Sequence, residues 1–432
     1  MHTDPVIIVG AGIGGLVTAL SLHASGIPCE VYESVPHIKP LGVGINLLPH
    51  ATRELDALGA LDVLVAQSVQ PTTLRYFTRR GQQIWSEARG LAAGYHWPQL
   101  SIHRGTLQMT LLDLVRERIG AAHIHTGHHL HAFAADATGV HAQFSAGRNG
   151  RIIANQRGSC LVAADGIHST VRAHFYPDEG LPRWNGALLW RGTTTTAPVF
   201  DGRTMVWAGH PDLKFVGYPI RDHADGTQLF NFIAEFRTHD HVLTEREDWN
   251  QPGVLSDFID RFADWHFDWL DVPTLIRAAP GTYRFPMVDR DPLPNWSFGR
   301  VTLLGDAAHP MYPIGSNGAS QAILDARVLA GCLRCSPDNV AQALAHYDDI
   351  RRPATANVVL ANRGFGPEMP MKLVEERAPD GFTHIDDVIS PAEIALVTER
   401  YRATAGFAVA ELNHGVSLAD QVTLPPQPPR QV

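Results

Sequence analysis

Gly10-Ala-Gly12-Ile13-Gly14-Gly15 stands between a β-branched run, Val6–Val9, and an apolar stretch, Leu16–Ala24, that reads as a helix. No other pattern in the chain constrains the fold as strongly. Glycine occupies the positions 10, 12 and 15 at which a strand–turn–helix can cradle a dinucleotide. The first permits the tight turn, the second lets backbone approach a pyrophosphate, and the third lets helix and strand pack closely. Cys29-Glu-Val-Tyr-Glu33 reads as a second strand, and its last carboxylate lies 18 residues after Gly15 (33 − 15). A carboxylate there binds the ribose and disfavours a 2′-phosphate, so FAD or NAD is expected. Gly10, Gly12, Ile13, Gly14, Gly15 and Glu33 are the first candidate cofactor-binding residues.

Composition narrows the partners. A chain of 432 residues suggests two or three domains. Its formal charge is 35 − 44 = −9 with no basic block, which argues against nucleic acid. The N-terminus lacks a signal-peptide pattern, no apolar run approaches the ~18 residues of a membrane span, and four cysteines are too few for a disulfide scaffold. A cytoplasmic protein, monomer or homodimer, is expected. Cys332 and Cys335 have redox spacing but fall in an apparent helix, so they read as structural.

Periodicity gives a coarse layout. Helices are expected at about 50–66 and 105–119, the latter with Leu107, Leu111, Val115 and Ile119 on one face. Between about 181 and 240, short runs such as Leu188–Arg191, Lys214–Ile220 and Leu229–Phe236 alternate with turn residues and read as antiparallel strands. A helix at about 250–264 (Val254, Phe258, Phe262) is expected to close that block. Parallel-type patterning resumes at Arg300–Gly305, helices run to about 363, and 365–420 reads as helical and loop-like. Residues 421–432, with four prolines, read as a disordered tail.

Three further motifs select among dinucleotides. Gly305-Asp306 follows the strand Val301–Leu304 and leads into Ala307-Ala308-His309-Pro310. Pro313-Ile-Gly315-Ser-Asn317-Gly318-Ala319 comes next, as a loop entering a helix. Backbone N–H groups at such a helix start favour the negative charge of a reduced flavin. Ala164-Asp165-Gly166, running to Arg172, is the third, and Arg104 and Leu41-Gly-Val43-Gly44-Ile-Asn46 complete the set. In this order the motifs resemble the FAD-dependent aromatic hydroxylase superfamily, whose founding member is 4-hydroxybenzoate hydroxylase.

That resemblance implies a fold and a set of roles. The fold is α/β: a Rossmann-like FAD-binding domain with an inserted antiparallel-sheet substrate domain and a C-terminal helical segment. The expected domains are 1–72, 96–180 and 276–363 for FAD; 73–95 and 181–275 for substrate; 364–420 for the helical segment; and the tail. Asp306, after Gly305, would hold the ribityl chain, and Asp165 would serve both FAD and the pyridine nucleotide. Arg104 and the Val43–Gly44 loop would touch the flavin, as would Gly315, Gly318 and Ala319. Backbone near Leu130 would lie beside the adenine. The five histidines from His123 to His131 are then a strand rather than a metal site, and no metal is expected.

Within the superfamily the chain is similar to the phenazine-carboxylate monooxygenases of pyocyanin formation. The matching segments include Trp190-Arg191-Gly192, Tyr218-Pro219-Ile220, Pro286–Pro292 and Arg351-Arg352-Pro353, and the match breaks over 197–214. A single βαβ fingerprint implies that NADH or NADPH binds transiently, as a co-substrate. The resemblance implies hydroxylation of a planar aromatic or heteroaromatic ring with O₂, through a flavin C4a-hydroperoxide. Candidate catalytic residues are Arg191, to orient an anionic substrate; Tyr218, to hydrogen-bond a ring substituent; His210; and Pro313 at the flavin edge. Two other readings share these motifs: an FAD-dependent dehydrogenase or reductase without oxygen insertion, and a catalytically inactive FAD-binding sensor. Trp265, Phe267 and Trp269 read as core packing.

Overall fold

The computed structural model describes residues 4–238 and 251–423. Val6–Val9, Cys29–Glu33, Ile124–Thr126, Cys160–Ala163 and Val301–Leu303 form a parallel sheet, extended at one edge by antiparallel Ser297–Phe298. Val6–Val9 is wholly buried, as a parallel strand covered on both faces must be. The helices Ile13–Ala24, Gly318–Cys335 and Val340–Arg363 supply much of the packing, and Cys332 and Cys335 are free thiols on the second of these. His129–Ala135, Val140–Ser145 and Ile152–Gly158 make a separate three-stranded meander.

An eight-stranded sheet forms the other body. Its order is Pro252–Gly253, Thr282–Asp289, Arg183–Thr196, Gln228–Arg237, Leu213–Asp222, Thr204–His210, Thr73–Phe77 and Gln83–Ala88. Alternation along its strands gives it two different faces. Phe230, Phe232, Ala234 and Phe236 join Trp190, Phe258, Phe262 and Trp265 in one cluster, with Phe267 and Trp269 packed against it. Leu74, Tyr76, Met205, Trp207, Tyr218 and Ile220 face the other way and pack on Met371, Val374 and Ile389 of the C-terminal segment. That segment is a lid of helices on the sheet.

Three expectations need correction. The helix at 50–66 is two helices, Pro49–Ala57 and Leu61–Val65. Gly59 (φ +61°) stops the first, with its N–H on Asp56 and that of Ala60 on Leu55, a glycine-terminated helix end. The helix at 250–264 is absent. Pro252–Gly253 pairs with Thr282–Tyr283, and two 3₁₀ turns, Leu255–Asp257 and Ile259–Phe262, follow. Here burial overrode spacing: Phe258 stacks on Trp190 and Phe262 meets Trp265 edge-on, while Val254 is exposed. Residue 250 lies outside the described residues, as do 424–432 of the tail. Gln421 ends a short helix, Leu418–Gln421, and Val422 is buried in the main core, so these residues belong to the packed fold and not to the expected tail.

Candidate active site

The fingerprint glycines answer to steric demands. Gly10 has φ +104°, and a Cβ there would lie 2.4 Å from the Ala164 carbonyl oxygen. A Cβ on Gly15 would lie 1.9 Å from the Gly10 oxygen, so helix and turn touch. One on Gly14 would meet Leu304 at 2.9 Å, whereas one on Gly12 would meet nothing within 4 Å. The helix opening at Ile13 has no side-chain cap and no acid in its first turn. Its free N–H groups and the open space over Gly12 suit a pyrophosphate. Glu33 accepts the Ala11 N–H at 2.8 Å and the Val35 N–H at 2.9 Å, which anchors its carboxylate beside the turn.

Asp165 sits next to that turn through the Gly10–Ala164 contact. Its Oδ2 accepts the Thr170 N–H at 2.8 Å, while its buried Oδ1 has no partner among the described residues. Burial raises its pKa against several hydrogen bonds. Ser169 caps the following helix, and Arg172 runs back to the Ala307 and Ala308 carbonyls at 3.1 and 2.7 Å. Arg172 therefore ties this element to the Gly305–Asp306 loop. Beneath that loop, Asp325 accepts the Gly305 N–H at 3.1 Å, His309 at 2.5 Å and Arg351 Nε at 2.7 Å. Burial pushes the Asp325 carboxyl up, but His309 and Arg351 outweigh it and hold it below the usual range. Asp306 is exposed at the loop surface.

A second group gathers around Gly44. The strand Gly44–Leu47 pairs with Leu100–His103, and Arg104 N–H donates to the Val43 carbonyl at 2.8 Å. Asn231 Oδ1 accepts the Gly44 N–H at 2.7 Å, and Arg191 donates to the Gly44 carbonyl at 2.8 Å. The eight-stranded sheet thus grips both polar groups of this residue. Arg191 also lies beside the Tyr218 phenol, and its Nε is enclosed without a partner among the described residues. Burial lowers the Arg191 pKa, Tyr218 opposes that, and nearby Arg104 adds to the lowering. Burial raises the Tyr218 phenol.

The loop before the helix Gly318–Cys335 carries strain. Gly315 and Ser316 have φ +73° and +58°, and Gly318 then opens an 18-residue helix with Ala319 in its first turn and no side-chain cap. Asn317 is fully buried; its Nδ2 donates to the Tyr401 hydroxyl at 2.9 Å, and its Oδ1 lacks a partner among the described residues. The Tyr401 hydroxyl also bonds Asn362 Oδ1 at 2.8 Å and the Ile314 carbonyl at 3.2 Å. Tyr401 belongs to the helix Pro391–Thr404, so the C-terminal segment is pinned to this loop.

Between the loop, the sheet and the C-terminal helices lies a narrow cleft with about 20 Å³ of open space. Leu48, Leu74, Met205, Trp207 and Phe407 supply apolar walls, Gly315 and Ser316 one edge, and Glu87, Arg89 and Arg402 a charged side. Arg191, Tyr218, His210 and Pro313 do not line it. His210 ends its strand with Glu375 at 3.9 Å and Asp212 at 4.0 Å, its pKa lowered by burial. Pro313 is exposed just before the turn Ile314–Ser316. Leu130 is buried in the meander, opposite Phe144. His123 and His125 both bond Glu30 at 2.8 Å, and among the described residues no group of three or more metal-ligating side chains is arranged to hold an ion.

The motifs for FAD were legible, but the parts that hold them were not. Arg172, Asp325, Asn231, Tyr401 and the Glu87–Arg89–Arg402 group lie far apart in sequence from what they support. Arg172, Asn231, His309 and Arg351 stood inside segments read from the sequence, and none of them carried a role there.

Unpartnered acceptors on Asp165 and Asn317, two uncapped helix starts and the space over Gly12 fit a dinucleotide flavin. With an aromatic-lined cleft against the Gly315–Ser316 loop, they fit the class of FAD-dependent aromatic hydroxylases. The chain belongs to the family described as FAD binding domain, matched over residues 3–362. It is 43% identical over 408 residues to the phenazine 1,6-dicarboxylic acid hydroxylase of Lysobacter antibioticus, covering 93% of this chain and 97% of that protein. The 3-hydroxybenzoate 6-hydroxylase of Klebsiella oxytoca is 29% identical, over 83% and 87% of the two chains. A salicylate hydroxylase solved with its substrate shares the fold, with TM-score 0.73 at 21% identity over 98% and 99% of the chains. The protein is an enzyme, an FAD-dependent monooxygenase of aromatic substrates with NAD(P)H as transient co-substrate. Among the described residues no helix is long and apolar enough to cross a membrane.

Proposed function

We propose that the enzyme hydroxylates a small, planar, carboxylated heteroaromatic ring of the phenazine type. The observation that carries this reading is the cleft lined by Trp207, Phe407 and the Gly315–Ser316 loop, together with the phenazine substrate that the 43%-identical relative is named for. Bound FAD, reduced by NAD(P)H, activates O₂ and supplies one oxygen atom to the ring. The chain's own residues bind and orient the ring and keep water from the reacting face.

FAD would be held by Gly10, Gly12, Ile13, Gly14 and Gly15 at the pyrophosphate, Glu33 at a ribose and backbone near Leu130 at the adenine. Gly305 and Asp306 would take the ribityl chain. Val43, Gly44, Arg104, Gly315, Gly318 and Ala319 would surround the flavin ring, with Asp165 between the two ends. Arg191 is better suited to positioning than to direct chemistry, since it is committed to the Gly44 carbonyl and lies beside the Tyr218 phenol. We assign it to holding the flavin loop and the phenol, which would meet a ring substituent. Pro313 edges the flavin, and His210 is assigned no step. The division into FAD-binding pieces (1–72, 96–180, 276–363), a substrate sheet (73–95, 181–275) and a helical lid (364–420) follows from these roles. A cytoplasmic monomer or homodimer fits a small-molecule oxygenase.

Turnover of phenazine-1-carboxylate under ¹⁸O₂ should place one ¹⁸O atom in the product. A product oxidised without ¹⁸O would overturn oxygen insertion in favour of simple dehydrogenation. Asp306→Ala should weaken FAD by about 1–3 kcal/mol, the scale for hydrogen bonds involving a charged group. Titration of the apoprotein with FAD checks this, and an unchanged affinity would remove Asp306 from the ribityl site.

A further inference from the structure

The charged side of the cleft is unbalanced. Arg402 donates to Glu87 Oε2 at 2.8 Å, and Arg89 and the Tyr76 hydroxyl both bond Glu87 Oε1, the latter at 2.8 Å. One carboxylate therefore serves two guanidinium groups, and no other residue lining the cleft is charged. The three side chains are only 11%, 14% and 25% exposed for Glu87, Arg89 and Arg402. Arg89 Nε is enclosed without a partner among the described residues. Among the described residues Arg402 makes no side-chain bond there other than the one to Glu87. A surplus cation in a small apolar cleft is costly unless an anion joins it. The guanidinium fork matches a carboxylate in shape as well as charge.

The walls around these two guanidinium groups are apolar and aromatic. Leu74, Met205 and Trp207 come from the sheet face, and Phe407 from the C-terminal segment. Trp207 Nε1 is a buried donor without a partner among the described residues. Arg402 itself comes from the helix Pro391–Thr404, pinned to the flavin-motif loop through Tyr401. We infer that Arg89 and Arg402 form an anion subsite that takes a ring carboxylate of the substrate, with Arg402 delivered by the C-terminal lid. This rests on the proposed aromatic-carboxylate reading and names the residues that read the carboxylate. The lid thereby sets specificity.

The test is binding to the oxidised, FAD-loaded enzyme without turnover, so it stands whether or not oxygen is inserted. Phenazine-1-carboxylate is compared with its neutral isostere phenazine-1-carboxamide by titration calorimetry. Arg402→Met should weaken the carboxylate at least about 10-fold, or about 1.4 kcal/mol, and change the carboxamide less than about 2-fold. Glu87→Gln removes the internal competitor for both guanidinium groups and should tighten the carboxylate relative to the carboxamide. That sign cannot come from a merely structural network, whose damage would weaken both ligands. Equal responses of the two ligands in both variants would overturn the subsite. If Arg402→Met does not fold, Glu87→Gln alone decides: a carboxylate no tighter relative to the carboxamide overturns it. Failure of ¹⁸O insertion with these binding results intact would instead sink only the hydroxylase chemistry.

Discussion

Gly12→Ala is expected to give a protein of near wild-type stability that comes off purification with little flavin. Gly12 has φ −73° and ψ −178°, which any residue adopts, and its Cβ position is empty to 4 Å. In the absence of ligand the added methyl therefore costs little. With FAD bound it would occupy the space that lets backbone approach the pyrophosphate. Overpacking of this kind costs about 1–3 kcal/mol, which weakens binding by about 10- to 100-fold. Gly15→Ala is the control with the opposite profile, since its Cβ would lie 1.9 Å from the Gly10 carbonyl oxygen and damage the fold itself. Flavin absorbance per chain and the urea midpoint of the apoprotein separate the two variants. Full flavin content in Gly12→Ala would remove the pyrophosphate from this turn.

Asp325→Ala should be among the most destabilising single changes in the chain, at about 3–5 kcal/mol, the cost of orphaning a buried charge. It strands Arg351, leaves His309 without its acceptor and frees the Gly305 N–H. Because Gly305 begins the loop that carries Asp306, flavin should be lost with stability. The pH dependence follows from the depressed Asp325 carboxyl. Its contribution is present above the unfolded-state pKa and is lost as pH falls through the lower folded value. Asp325→Asn keeps an acceptor but not the charge, so it should fall between the two. Denaturant midpoints of all three proteins check this. A midpoint for Asp325→Ala within error of wild type would show that the buried network contributes nothing.

Much of the site was legible because its demands are local. A turn that admits a pyrophosphate needs glycine at fixed offsets, and the helix proposed to meet the flavin begins just after another glycine loop. These constraints act within a few residues, so Gly10–Gly15, Asp165, Gly305–Asp306 and Gly315–Gly318 could be read directly. The same locality exposed the alternating strands around Leu188–Arg191 and Leu229–Phe236. Helical spacing misled at Val254, Phe258 and Phe262. There an i, i+4 pattern reflects two aromatic side chains dropping onto one sheet face from 3₁₀ turns.

The sequence by itself determined the cofactor class, the parallel sheet that carries it and the existence of an inserted sheet. Each of these depends on backbone geometry or periodicity over short spans. Only the tertiary structure decided what the cleft contains. Glu87, Arg89 and Arg402 are brought together across more than three hundred residues, and Arg191 is turned toward Gly44 across 147. Long-range electrostatic pairing leaves no periodic trace, because its register is set by how the lid and the sheet pack. A charge looks like any other surface residue in the chain until burial removes its water.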